Sequence, residues 1–220
     1  MDPLIVADNT IMTLLGPVVV NPQTLNQVFA LAPILVAADG GGNVAATAQM
    51  PVRAVIGDMD SITENTRTAL ADATFIQVNE QETTDFEKCL QRISAPVVLA
   101  IGFVGGRIDH ELATFNALLR YPDQRIILVG DEDVIFLAPR QIELALPVGT
   151  RLSLFPLAPV KGWSGGLNWP IEGVDFAPDG PIGVSNRTVK AQVSLRFEAQ
   201  KMLAILPIQH LQAAIDALYP

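Results

Sequence analysis

Short apolar, β-rich runs alternate with helical patterns through the first 140 residues, and this alternation limits the fold more than any other feature. Ile11–Leu15 or Val18–Val20 supplies a first strand, and 22–31 reads as a helix. Ile34–Ala38 is the next apolar run, closed by Asp39 and three glycines, and 52–56 follows it and ends in Gly57 and Asp58. Phe75–Val78, Pro96–Ile101 and Arg125–Val129 complete the series. Between the runs, Ser61 with Glu64 and Thr84 with Glu87 have capping-box spacing. Ile108, Leu112, Phe115 and Leu119 recur at helical intervals, which predicts one apolar helix face. Strands that are apolar almost throughout belong in a parallel sheet covered on both faces. In such sheets ligands bind beyond the carboxyl ends of the strands.

From about Phe136 the texture changes. Short strands are expected at 142–146, 151–155, 190–197 and 202–206, with prolines and glycines clustered between them. The pattern predicts a small all-β sandwich, followed by a helix near 209–218. The expected organisation is therefore α/β. A three-layer, parallel-sheet nucleotide-binding domain over 1–138 is followed by a β-sandwich domain over 139–220.

Composition narrows the partners. Fourteen basic residues against 23 acidic ones leave a net charge of −9, so a nucleic-acid backbone finds little to bind. A single nucleotide can still bind an acidic protein through a divalent cation. The one cysteine, Cys89, excludes an intrachain disulfide framework and fits a cytoplasmic location. The start has no basic residue before Arg53, unlike a secretory leader. The longest apolar stretches fall well short of the ~20 residues a membrane span needs, so no membrane association is expected. Only 17% of the residues are charged, which hints at extra surface buried between subunits.

The chemistry concentrates in four aspartates placed after strands or at helix starts: Asp58, Asp60, Asp85 and Asp109. Any one of them alone is an ordinary cap or turn residue. Together, on one rim, they repel each other unless a cation is present, and hard oxygen ligands suit Mg²⁺. Lys88 and Arg107 stand beside the acids and can meet phosphate oxygens. His110 reads as a first-turn helix residue, and Trp163 as structural.

These residues resemble a known family. Gly57-Asp-Met-Asp-Ser61, the run Glu80-Gln-Glu-Thr-Thr-Asp-Phe-Glu-Lys88, and Gly105-Gly-Arg-Ile-Asp-His110 are similar to the three N-terminal motifs of thiamine pyrophosphokinases. Gly166-Leu-Asn-Trp169 and Gly183-Val-Ser-Asn186 resemble that family's two thiamine-side motifs, and the Asp39-Gly-Gly-Gly42 turn matches as well. The similarity runs from about residue 10 to 206.

The resemblance implies transfer of the pyrophosphoryl group of ATP to the hydroxyl of thiamine, with release of AMP, by a homodimer. It implies that Asp58, Asp60 and Asp85 hold Mg²⁺. It implies that Gln81, Lys88, Arg107 and Asp109 contact or organise the nucleotide. Trp169 would stack on thiamine, and Ser185 and Asn186 would hydrogen-bond its aminopyrimidine, in a pocket shared with the partner chain. An indole face attracts such a cationic heterocycle by roughly 0.5–2 kcal/mol. Three features depart from the family pattern: Pro17 and Val18 replace a glycine-rich turn, Arg187 stands where an acid is common, and Glu80 and Glu82 stand where aspartates are common. Two alternatives share parts of this site: a pyrophosphokinase for another hydroxymethyl heterocycle, such as a pterin, and a non-catalytic thiamine- or nucleotide-binding regulator.

Overall fold

Residues 6–219 are described by a computed structural model. Two compact units divide them. One ends at Ala117 and takes back Leu128–Asp131; the other comprises Leu118–Ile127 and the chain from Glu132 onward.

The first unit contains β1 (Val6–Ala7), β2 (Met12–Leu15), α1 (Pro22–Leu31), β3 (Ile34–Ala38), α2 (Gly41–Thr47), β4 (Ala54–Gly57), α3 (Glu64–Ala69), β5 (Thr74–Gln77), α4 (Asp85–Leu90), β6 (Ile93–Ser94) and β7 (Val98–Ile101). The chain crosses between the units within α5 (Ile108–Arg120) and β8 (Ile126–Val129). Strands β7, β2, β3, β4 and β5 pair in that order, all in parallel. Every residue of β2, β4 and β7 is buried, as expected of strands covered on both faces. Thr13, the polar exception in β2, donates its buried hydroxyl to the Ala32 carbonyl at 2.7 Å. The first strand is thus the Ile11–Leu15 alternative; Val18–Val20 is irregular, and Val19 is 85% exposed.

Two local expectations are corrected. Ser61 does not cap α3. Its hydroxyl bonds Asp60, and Thr63 is the cap, accepting from the Thr66 amide at 3.1 Å. Asn43 fixes this choice by accepting from the Thr63 amide and the Thr66 hydroxyl. Secondly, α5 does not bury the face spaced by Ile108 and Leu112, which are 69% and 60% exposed. It buries Thr114, Ala117 and Leu118 instead. The Thr84–Glu87 capping box forms as its spacing predicts.

In the second unit, β9 (Asp133–Leu137), β10 (Gln141–Ala145), β11 (Arg151–Pro156), β12 (Val160–Gly165), β13 (Val174–Phe176), β14 (Gly183–Arg187), β15 (Gln192–Phe197) and β16 (Met202–Pro207) precede α6 (Leu211–Leu218). They form two antiparallel sets, β14–β11–β16–β9 and β10–β15–β12–β13. Strand β10 alternates exposed and buried residues, the signature of a strand with one solvated face.

Candidate active site

Parallel pairing brings the carboxyl ends of β2, β3, β4 and β7 to one edge, with Leu15 beside Ala37 and Ile101, and Ala38 beside Ile56. Asp39 and Asp58 therefore leave adjacent strands side by side. Gly57 permits this closeness, because a Cβ there would lie 2.5 Å from that of Asp39. Asp39 itself adopts φ 36°, and its Oδ1 accepts the Met59 amide at 3.0 Å. Met59 is also in the left-handed region, at φ 69°. Such conformations cost energy in non-glycine residues and cluster at functional sites.

A cavity of about 350 Å³ opens at this edge, a size within the usual range for small-molecule sites. Asp58, Gln81, Asp85, Lys88 and Arg107 line it, together with Asp39 and His110. Asp39 was legible only as a turn. Its place at the end of a rim strand was the signal that it belonged with the other acids. From sequence, His110 reads only as an ordinary helix start.

Asp39, Asp58 and Asp60 each offer an oxygen within 4.8 Å of the other two. Three hard carboxylate donors at that separation fit a small divalent cation such as Mg²⁺. Asp85 is not in that trio; it pairs with Lys88 at 3.0 Å. Lys88 also lies 3.5 Å from Asp58 Oδ2, which accepts Gln81 Nε2 at 3.3 Å. Burial acts to raise the Asp58 pKa, but Gln81, the Asp60 amide and Lys88 outweigh it and hold the carboxyl below its usual value. Asp85 is raised: its burial outweighs the Lys88 contact, and the neighbouring Asp39 and Asp58 charges add to the rise. Burial acts to lower the Lys88 pKa, and Asp85 and Asp58 overcome it and keep the ammonium charged.

The loop carrying Gln81 is stapled by Glu80, which accepts the Glu82 and Thr83 amides and the Thr83 hydroxyl. Thr83 is the main reason that the Glu80 carboxyl sits below its ordinary pKa. Asp109 lies outside the cavity lining. Both its oxygens accept from Arg107, at 3.1 and 2.6 Å, which draws its pKa down to about 2. It thus holds the guanidinium of Arg107, a residue of the cavity lining.

The three remaining candidates lie in the second unit. Trp169 leaves 56% of its surface exposed. Asn186 is buried, and its amide is committed to the backbone: Nδ2 donates to the Trp169 carbonyl at 2.7 Å, and Oδ1 accepts the Trp169 and Arg187 amides. Ser185 is exposed with φ 60°, and its amide donates to the Ser153 hydroxyl.

The first unit's site suits one class of protein: α/β folds that seat a phosphate chain against a divalent cation at the carboxyl edge of a parallel sheet. Comparison with known proteins narrows the class. The family described as thiamin pyrophosphokinase, catalytic domain, matches residues 25–129. Thiamine pyrophosphokinase 1 of Oryza sativa subsp. japonica is 30% identical over 200 residues, covering 82% of this chain and 75% of the relative. Thiamine pyrophosphokinase 1 of Arabidopsis thaliana is 31% identical over 173 residues, covering 68% of this chain but only 63% of the relative, under two thirds of its length. The solved thiamin pyrophosphokinases of Candida albicans and yeast both superpose with a TM-score of 0.79, at 17% and 18% identity, over 90% and 95% of this chain and 89% of each of theirs. This chain belongs to the thiamine pyrophosphokinase family.

Proposed function

We propose that the protein transfers the pyrophosphoryl group of ATP to the hydroxyl of thiamine, giving thiamine diphosphate and AMP. The observation that carries this reading is the Asp39–Asp58–Asp60 cluster beside Lys88 at the sheet's carboxyl edge, in a chain of this family. The thiamine oxygen attacks the β-phosphorus, the bond from that phosphorus to the α–β bridging oxygen breaks, and AMP leaves. Mg²⁺, held by Asp58 and Asp60 with Asp39 or Asp85, would neutralise charge on the phosphate chain. Arg107 binds phosphate oxygens in an orientation set by Asp109, and Gln81 organises Asp58. Asp85, whose burial raises its proton affinity, is suited to accept the hydroxyl proton. Trp169 stacks on the cationic acceptor. Ser185 faces the aminopyrimidine, and Asn186 supports Trp169.

In this reading, the first unit is a three-layer nucleotide-binding domain and the second a thiamine-binding β-sandwich, with the boundary near 138. The active form is a homodimer, which gives the exposed Ile108 and Leu112 of α5 and the exposed Ile182 and Val184 of the second unit a surface to cover. A cytoplasmic location is consistent with the single, buried Cys89; no helix among the described residues is long and apolar enough to cross a membrane. The test is formation of AMP and thiamine diphosphate from ATP, Mg²⁺ and thiamine, with a hydroxymethylpterin as the competing acceptor. AMP formed only with the pterin, or thiamine bound without AMP, would refute the reading.

A further inference from the structure

Lys88 is 2% exposed. Lysines are almost never buried that deeply unless they are paired, and this one faces two acids, Asp85 at 3.0 Å and Asp58 at 3.5 Å. Its backbone is fixed on both sides: its amide donates to the Thr84 carbonyl at 2.8 Å, and its carbonyl accepts Arg92 Nη1 at 3.0 Å. The ammonium's reach is therefore set by α4, which the Thr84–Glu87 capping box anchors. Arg107 differs in each respect. It is exposed and pairs with Asp109, a neighbour two residues away. Asp58 Oδ2 is the shared atom. It meets Lys88 and Gln81, and its carboxylate is also one of the three in the cluster with Asp39 and Asp60.

We infer that Lys88 is the rim's built-in counter-ion, a positioning residue that holds Asp58 and Asp85 in place and competes with the divalent cation for Asp58. This deepens the proposed function and rests on its reading of the acidic rim as a divalent-cation site. An ammonium has three donors. Two face the carboxylates, and because Lys88 lines the cavity, the third is available to a phosphate oxygen. A cation held at Asp58 would weaken one of the two acid contacts and leave the ammonium to Asp85 and the substrate. The rim thus stays assembled before the metal arrives, at the cost of some metal affinity.

The experiment is Mn²⁺ binding to the nucleotide-free full-length chain, read by electron paramagnetic resonance, for wild type and Lys88→Met. Removing a unit positive charge next to the cation site strengthens Mn²⁺ binding by about tenfold or more, although turnover falls. Equal or weaker binding in Lys88→Met, with Mn²⁺ bound by wild type, overturns the inference and leaves the cation reading standing. Absence of binding in both proteins overturns the cation reading and the inference with it. Wild type supplies a second measurement, independent of how the variant folds. The Lys88 side-chain ¹⁵N resonance should move on addition of Mg²⁺ alone, and a resonance unmoved at saturating Mg²⁺ overturns the proposal.

Discussion

Asp58→Asn and Asp85→Asn should have opposite effects on stability while both remove activity. The Asp58 carboxylate accepts from Gln81 at 3.3 Å and from Lys88 at 3.5 Å. Charge-assisted contacts are worth roughly 1.5–3 kcal/mol at good geometry. These are long and partly solvated, so about 1 kcal/mol is the expected loss on neutralisation, or about 2–4 °C in melting temperature for a chain of this size. Asp85 is ionised against a burial penalty. Asparagine removes that penalty and keeps an oxygen for Lys88, so Asp85→Asn should melt no lower than wild type.

The pH dependence carries the same signs. Asp58, with its folded pKa depressed, adds stability above the usual carboxylate range and loses it as pH falls through the lowered value. Asp85, with its folded pKa raised, costs stability once pH exceeds that value, and the cost disappears below the unfolded value near 3.8. The Asp85 gap should therefore be nearly closed at pH 4, while the Asp58 gap closes only below pH 3.8 and persists at pH 4. Calorimetry in EDTA at pH 7 and pH 4, with AMP release measured in parallel, decides the matter. If Asp58→Asn melted like wild type and Asp85→Asn fell by more than about 4 °C, Asp85 would be the stabilising partner of Lys88 and this electrostatic account would be wrong.

Trp169→Ala should raise the thiamine KM roughly tenfold and leave ATP dependence unchanged, as separate titrations of the two substrates will show. Asn186→Ala should move the thiamine KM in the same direction and also lower the melting temperature, because its buried amide clamps the Trp169 backbone. Thr84→Ala removes the capping box of α4 and should cost about 1 kcal/mol, with a fall in kcat because Asp85 begins that helix. Its melting curve and turnover should therefore fall together. Mixing Trp169→Ala chains with Asp85→Asn chains should restore part of the activity if each site draws on both subunits. No recovery after demonstrated subunit exchange would place each site within one chain.

Local, repetitive signals were legible in the sequence. The apolar runs at 34–38, 52–56 and 96–101 became buried parallel strands, because a strand covered on both faces needs nothing beyond its own composition to be recognised. The Thr84–Glu87 box formed for the same reason: its partners are three residues apart. What depended on distant residues was not legible. Thr63 rather than Ser61 caps α3 because Asn43, about 20 residues away, accepts its amide. Strand β14 runs through Gly183-Val-Ser-Asn-Arg187, which has no strand-like alternation, and its pairing with Leu152 and Leu154 of β11 makes it a strand.

The site divides along the same line. The rim position of Asp58 and Asp60 follows from strand ends, but the nearness of Asp39 depends on register between neighbouring strands and on the missing side chain of Gly57. The roles of Asp109 and Asn186 depend on where their hydrogen bonds go. The carboxylate that the family resemblance gives as contacting or organising the nucleotide, and the amide that it gives to the aminopyrimidine, both bond within the protein, one to Arg107 and the other to Trp169. In the proposed reaction each would act through the residue it holds. An arginine that swings freely, or an indole on a loose turn, would lose orientation each time the site emptied, and orientation is most of what phosphoryl transfer asks of the protein.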